Sequence, residues 1–193
     1  MKSRVTTGVG DQGTTRTLSG ETLPKSDLVL ECTGWLDALR ANIAAIRIEL
    51  LASEREDARE RADFLFWLLH VCFLIGTEVN DPRNTKPEYR HEVVSKKHLK
   101  RLEAEQAALE AQLNLPRAFI ACAANAIAAD IDVAATVVRT LERNLVRLQE
   151  QEPAFAAGDI LRFVNRLSDF MFVLARYLED GHHQAVDYGV LDA

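Results

Sequence analysis

Apolar positions recur at steps of three and four along most of the chain. Leu36, Leu39, Ile43, Ile46 and Leu50 form one such series, and Ile160, Phe163, Val164, Leu167, Met171, Leu174 and Leu178 form another. That period places each series on one stripe of a helix that turns every 3.6 residues. Five helices are expected, over about 26–51, 53–79, 94–113, 121–149 and 157–179, with Ser26 as a candidate N-cap. Gly76, Pro82, Pro87, Pro116, Pro153 and Gly158 fall where helices should stop. The third helix is strongly charged around Leu99, Leu102, Leu109 and Leu113 and reads as a solvated outer face. No strand pattern survives outside short pieces of the first 25 residues. The expected fold is all-α: a five-helix bundle over 26–180, with the short connections of antiparallel neighbours. An extended Gly/Thr-rich arm over 1–25 precedes it, and a tail over 181–193, mobile by default, follows within the same single domain.

Composition narrows the function classes. Hydrophobic residues make up 48% of 193, enough for a proper core. A net charge of −6 argues against a broad nucleic-acid surface but leaves room for a local basic pocket. Cys32, Cys72 and Cys122 are far apart and each lies in an apolar stretch, so three buried, reduced thiols are expected rather than zinc ligands. The most apolar run, Phe64 to Gly76, is too short to span a bilayer, and the first residues lack the apolar region of a signal peptide. A cytoplasmic protein that binds neither membrane nor nucleic acid is expected. His70, inside that run, reads as a satisfied core or interface histidine.

Three stretches carry candidate chemistry. TTGVGDQGTTR, Thr6 to Arg16, contains Gly8, Gly10 and Gly13 at dinucleotide-fingerprint spacing. No strand precedes it and no helix opens at its glycines, so the Rossmann reading fails. Two readings stay open: a flexible terminus, or a phosphate cradle of backbone N–H groups and threonine hydroxyls. In the second, Asp11 would hold a divalent metal on the phosphates and Lys25 would add positive charge. Arg139, Glu142 and Arg143 share one face of the fourth helix, suited either to a polyphosphate or to a solvated salt bridge. Asn165, Ser168 and Asp169 cluster on an otherwise apolar helix, as a buried polar network or a ligand contact.

Taken in order, these segments resemble ATP:cob(I)alamin adenosyltransferases of the trimeric five-helix-bundle type, a ferritin-like architecture. The likeness covers roughly residues 5 to 180. Its strongest piece is NRLSDFMFVLAR, Asn165 to Arg176. TTGVGDQGTT with LPKSD, VLECTGWLDAL, FLIGTEV and LPRAFI are similar to further family segments. The resemblance implies transfer of the 5′-deoxyadenosyl group from ATP to cob(I)alamin, with Mg²⁺ on the nucleotide and active sites between subunits of a homotrimer. It implies nucleotide contacts from Thr7, Gly8, Val9, Gly10, Asp11, Gly13, Thr15, Arg16, Lys25, Arg139, Glu142, Arg143 and Asn165. Phe119 falls at the aromatic that displaces the lower axial ligand of the corrinoid, which makes a four-coordinate cobalt easier to reduce. Asp37 and Arg139 join it as implied catalytic positions. A protein of this kind supplies no nucleophile of its own, because the corrinoid carries the reactive atom.

The chain departs from the family pattern at several places. The second threonine of T-x-T-G-D is Val9, and Asp-Glu-Leu-Asn-Ser becomes Asp37-Ala-Leu-Arg-Ala. The arginine that pairs with this aspartate is Ala135, leaving Arg40 as a replacement partner. The helix-four histidine is Asp132, the arginine after Arg139 is Thr140, and Pro-Gly-Gly after the aromatic becomes Cys122-Ala123-Ala124. The nucleotide side is mostly intact, and the corrinoid side is altered. The expectation is an active adenosyltransferase. A homologue kept for nucleotide binding or regulation, and a purely structural bundle, are the alternatives.

Overall fold

A computed structural model describes residue 8, residues 10–115 and residues 117–192. Its five long helices are α1 (Leu28–Ala52), α2 (Ala58–Val79), α3 (Lys96–Glu110), α4 (Ala126–Gln151) and α5 (Gly158–Leu178). Two short antiparallel pairs accompany them: β1 (Thr14–Arg16) with β2 (Thr22–Pro24), and β3 (Ile120–Cys122) with β4 (Gln184–Ala185). Short 3₁₀ turns lie at Pro87–Tyr89 and Tyr188–Leu191.

The stripes read from the sequence are the core. Val29, Cys32, Leu36, Leu39, Ile43, Ile46 and Leu50 of α1 are all buried, at steps of three and four. The α5 stripe is buried likewise, from Ile160 to Leu178. In packing order the helices run α2, α1, α4, α5, α3. Large rings bridge α2 to α5, with Phe64–Phe170 centroids 5.2 Å apart and Trp67–Phe163 centroids 6.2 Å apart. Helix α4 runs antiparallel to α5, since Glu142 meets Asn165 while Asp132 meets Arg176. Across α2 and α3, the buried Arg61 pairs with Glu105. Helix α2 is long and apolar enough to cross a membrane, which the shorter run counted from the sequence had not indicated. Half of its apolar window is buried in the bundle, with Arg61 and Glu78 buried on it too.

The helix starts differ from expectation for identifiable reasons. Asp27, not Ser26, caps α1: its Oδ1 accepts the Val29 N–H at 2.8 Å. Helix α4 begins at Ala126 rather than 121, because Asn125 accepts the Ala128 N–H at 2.9 Å and donates to the Leu178 carbonyl at 2.8 Å. Residues 120–122 are therefore strand, paired with a tail that is built onto the bundle. The α2–α3 connector is held by Asp81, which accepts from the Thr85 and Lys86 N–H groups and the Thr85 hydroxyl. Burial pushes the Asp81 carboxyl upward, but these donors outweigh it and its pKa ends below the usual value.

Cys32 and Cys72 are buried, and desolvation pushes each thiol up to about 12. Cys122 is exposed, contrary to expectation, because it lies on the short β3 strand outside the core. His70 is exposed as well and is not a core residue; its Nδ1 lies 2.8 Å from the Phe66 carbonyl.

Candidate active site

The arm is a hairpin, not a loose terminus, over its described residues. Gly13 has a φ of 78°, a conformation other residues rarely adopt, and its carbonyl accepts the Lys25 N–H at 2.8 Å. This bond brings the end of the hairpin back to the glycine turn. Lys25 then lies over Gly10: a Cβ added there would stand 3.0 Å from Lys25 Nζ. The turn is closed by Asp11 N–H to Gly8 O at 3.3 Å and Gly13 N–H to Gly10 O at 3.2 Å. Exposed main chain and an exposed ammonium thus converge, as a phosphate cradle requires. Thr15 is half-buried and Arg16 exposed on β1. Thr7 and Val9 lie outside the described residues.

Beside the hairpin, a cavity of about 440 Å³ opens between α1 and α2. Arg16, Asp37, Arg40, Cys72 and Phe73 are among its lining residues. Arg40 Nη1 donates to Asp37 Oδ1 at 2.9 Å, and its guanidinium lies 4.2 Å from the Phe73 ring centroid. Arg40 is thus the partner of Asp37 in this chain. Ala135, where the arginine was expected, is buried on α4.

A second set of predicted residues lies on the outer face of α4 and α5. Arg139, Arg143 and Asn165 are exposed there, and Glu142 is half-buried. Glu142 Oε1 accepts from Asn165 Nδ2 at 3.0 Å, so it orients the amide and not a guanidinium. Arg143 donates to Thr140 Oγ1 at 2.9 Å. The Asn165–Ser168–Asp169 cluster, open between a buried network and a ligand contact, divides. Ser168 is buried and donates to the Asn165 carbonyl, Asp169 pairs with Arg166 at 2.8 Å, and Asn165 faces outward. Among the described residues, no hydrogen bond or ion pair joins this set to the hairpin. The structure therefore brings the predicted nucleotide residues together as two groups, with Phe119 apart from both.

Farther along α4 and α5 the character changes. Phe119 is 83% exposed, and Val133 and Phe172 are also exposed apolar residues. Behind them lies a buried ionic network that the sequence reading missed. Arg176 donates to Asp132 at 2.7 Å and pairs with Glu179 at 3.0 Å; Glu179 bonds His183 at 2.8 Å. Glu179 and His183 at i and i+4, with Arg176 three residues before Glu179, were the available signal. Among the described residues, no group of three or more His, Cys, Asp or Glu could hold a metal ion.

The family model described as cobalamin adenosyltransferase matches residues 5–178. The human corrinoid adenosyltransferase MMAB is 28% identical over 187 residues, covering 95% of this chain and 72% of that protein. The Mycobacterium leprae corrinoid adenosyltransferase is 27% identical over 183 residues, covering 93% of each. A variant PduO-type ATP:corrinoid adenosyltransferase of Lactobacillus reuteri, solved with cobalamin and ATP, superposes with a TM-score of 0.83 at 23% identity, over 96% of this chain and 97% of that one. With its whole bundle and its described hairpin inside the matched span, the chain belongs to the cobalamin adenosyltransferase family.

Proposed function

We propose that the chain transfers the 5′-deoxyadenosyl group of ATP to cob(I)alamin, yielding adenosylcobalamin and triphosphate. The observation that carries this reading is that one chain holds both a glycine-turn hairpin crossed by the exposed Lys25 ammonium and an exposed aromatic, Phe119, at the end of the bundle where α4 begins. Lys25, held over the glycine turn, takes the triphosphate and stabilises the charge that accumulates on it as it leaves. Arg139 and Arg143 add fixed positive charge, and Asn165, held by Glu142, orients a polar group of the nucleotide. Mg²⁺ arrives on the phosphates and neutralises part of their charge. Phe119 covers the lower face of the corrinoid and excludes an axial ligand. Phe172 and Val133 extend the water-poor surface on which the corrinoid substrate is held.

The two groups of residues complete one another across a subunit boundary in this reading, with the hairpin of one copy meeting α4 and α5 of the next in a homotrimer. Purified protein is mixed anaerobically with reduced cobalamin and Mg-ATP, and the adenosylcobalamin spectrum is followed. Phe119→Ala should slow product formation at least tenfold while leaving the Mg-ATP Kd unchanged. Equal rates for both proteins would remove Phe119 from the site. Co-expressed Lys25→Ala and Arg139→Ala subunits should regain activity that neither has alone. No regain would place the site within one chain. Absence of product with intact ATP binding would favour the nucleotide-binding homologue.

A further inference from the structure

The chain beyond α5 is fastened back beneath Phe119. Gly181, with a φ of 83°, follows the end of α5. Two residues later the His183 side chain is 5% exposed, and its Nδ1 meets Glu179 Oε2 at 2.8 Å. Nδ1 carries the hydrogen, because its partner is a carboxylate oxygen. The Glu179 side chain is fully buried. Its Oε1 takes the Ala124 N–H at 3.0 Å and Arg176 at 3.0 Å, and Arg176 is also anchored by Asp132. One buried carboxylate therefore binds α5, the tail and the segment entering α4. Just past His183, β4 pairs with β3. There the Val186 N–H donates to the Phe119 carbonyl at 2.8 Å, and Cys122 Sγ donates to Gln184 Oε1 at 3.1 Å.

Phe119 is 83% exposed, so packing does not fix its direction. Its position is set through the backbone, by strand β3 and by the Val186 bond. That strand pairing is in turn held to the bundle through His183 and Glu179. We infer that His183 and Val186 are positioning residues for Phe119: the imidazole latches the tail to the buried Glu179, and the latched tail holds Phe119 where it meets the corrinoid. Asp132 belongs to the same frame, since it shares Arg176 with Glu179. Without His183, Glu179 keeps Arg176 and the Ala124 N–H, so the bundle stays folded while the tail is released.

This inference rests on the assignment of Phe119 to the corrinoid, and the experiment separates the two. Kd values for cobalamin and Mg-ATP, KM and kcat, and hydrogen exchange at the Val186 amide are measured for the full chain and for His183→Ala, His183→Asn, Val186→Pro and Phe119→Ala. His183→Ala should raise the cobalamin Kd and KM at least tenfold, leave the Mg-ATP Kd within twofold, and lose protection at Val186. His183→Asn, whose Nδ2–H stands where Nδ1–H does, should restore most of both. Val186→Pro, which lacks the N–H given to Phe119, should match His183→Ala in cobalamin affinity. Unchanged cobalamin affinity and protection in His183→Ala, an equal loss of ATP affinity, or no recovery in His183→Asn would each overturn the latch. If Phe119→Ala leaves cobalamin affinity and rate untouched, the assignment of Phe119 fails instead.

Discussion

Lys25→Ala tests the nucleotide side directly. The Lys25 side chain is exposed and lies across Gly10, while its backbone N–H, which alanine retains, closes the hairpin onto Gly13 at 2.8 Å. The substitution removes a charge and leaves the fold. A hydrogen bond to a charged group contributes about 1.5–3 kcal/mol, and each 1.4 kcal/mol is about tenfold in affinity. The Mg-ATP Kd should therefore rise about 10- to 150-fold. Thermal unfolding without ligand should move by less than about 2 °C, as for an exposed site outside the core. Gly10→Ala supplies the companion measurement. Its new Cβ would stand 3.0 Å from Nζ and 3.1 Å from Cε of Lys25, and 3.4 Å from the Thr14 carbonyl. The lysine tip is flexible and gives way, so the ammonium is displaced rather than lost, and the loss of ATP affinity should be smaller than for Lys25→Ala. Calorimetric titration reads both. An unchanged Kd in Lys25→Ala, with an unchanged melting temperature, would refute the phosphate role of the hairpin.

Two further outcomes follow from the ionic groups. Arg40→Ala removes the partner of Asp37 from an exposed pair, so stability should fall by no more than about 1 kcal/mol. Adenosylation should slow while the melting temperature holds; equal turnover in the steady-state assay would remove the pair from the site. Glu78 is buried and accepts the Val94 N–H at 3.0 Å, and burial raises its pKa above the usual carboxylate value. In the window between the ordinary value of 4.5 and that raised value, the folded chain binds more protons than the unfolded one. Stability therefore falls as pH rises through this window. Glu78→Gln should flatten that slope and gain relative to wild type from pH 4.5 to pH 7; parallel denaturant midpoints across this range would contradict it.

Much of this was legible because burial follows period. The α1 stripe from Leu36 to Leu50 and the α5 stripe from Ile160 to Leu178 are buried residue by residue. The hairpin residues, Lys25 and the α4 face could be picked out because glycines and charges stand apart from that period. The start of α4 could not. An alanine-rich run from Ala121 has high helix propensity, but the chain places the cap at Asn125, where the end of α5 supplies a carbonyl. Strands β3 and β4 have three and two residues and no period of their own. Their pairing joins positions more than 60 residues apart, so Cys122 read as buried and the tail as mobile. His183 is drawn inward only because Glu179 is already buried beneath it.

At Ala135 the chain departs from the family pattern, and Asp37 pairs along its own helix instead. Asp37 has a partner three residues along its own helix, and its side chain is 61% exposed at the cavity. Ala135 is 7% exposed within α4, among Ala134, Val137 and Val138. Restoring an arginine there would place a long charged side chain in a packed core whose intended acceptor is already bonded to Arg40. Overpacking of this kind costs about 1–3 kcal/mol, with about 2–4 °C of melting temperature per kcal/mol at this chain length. Ala135→Arg should therefore destabilise the protein without raising turnover, and Arg40→Ala combined with Ala135→Arg should be no more active than Arg40→Ala alone. A double variant that regained wild-type turnover would mean that Asp37 still answers to α4, and that Arg40 is not its working partner.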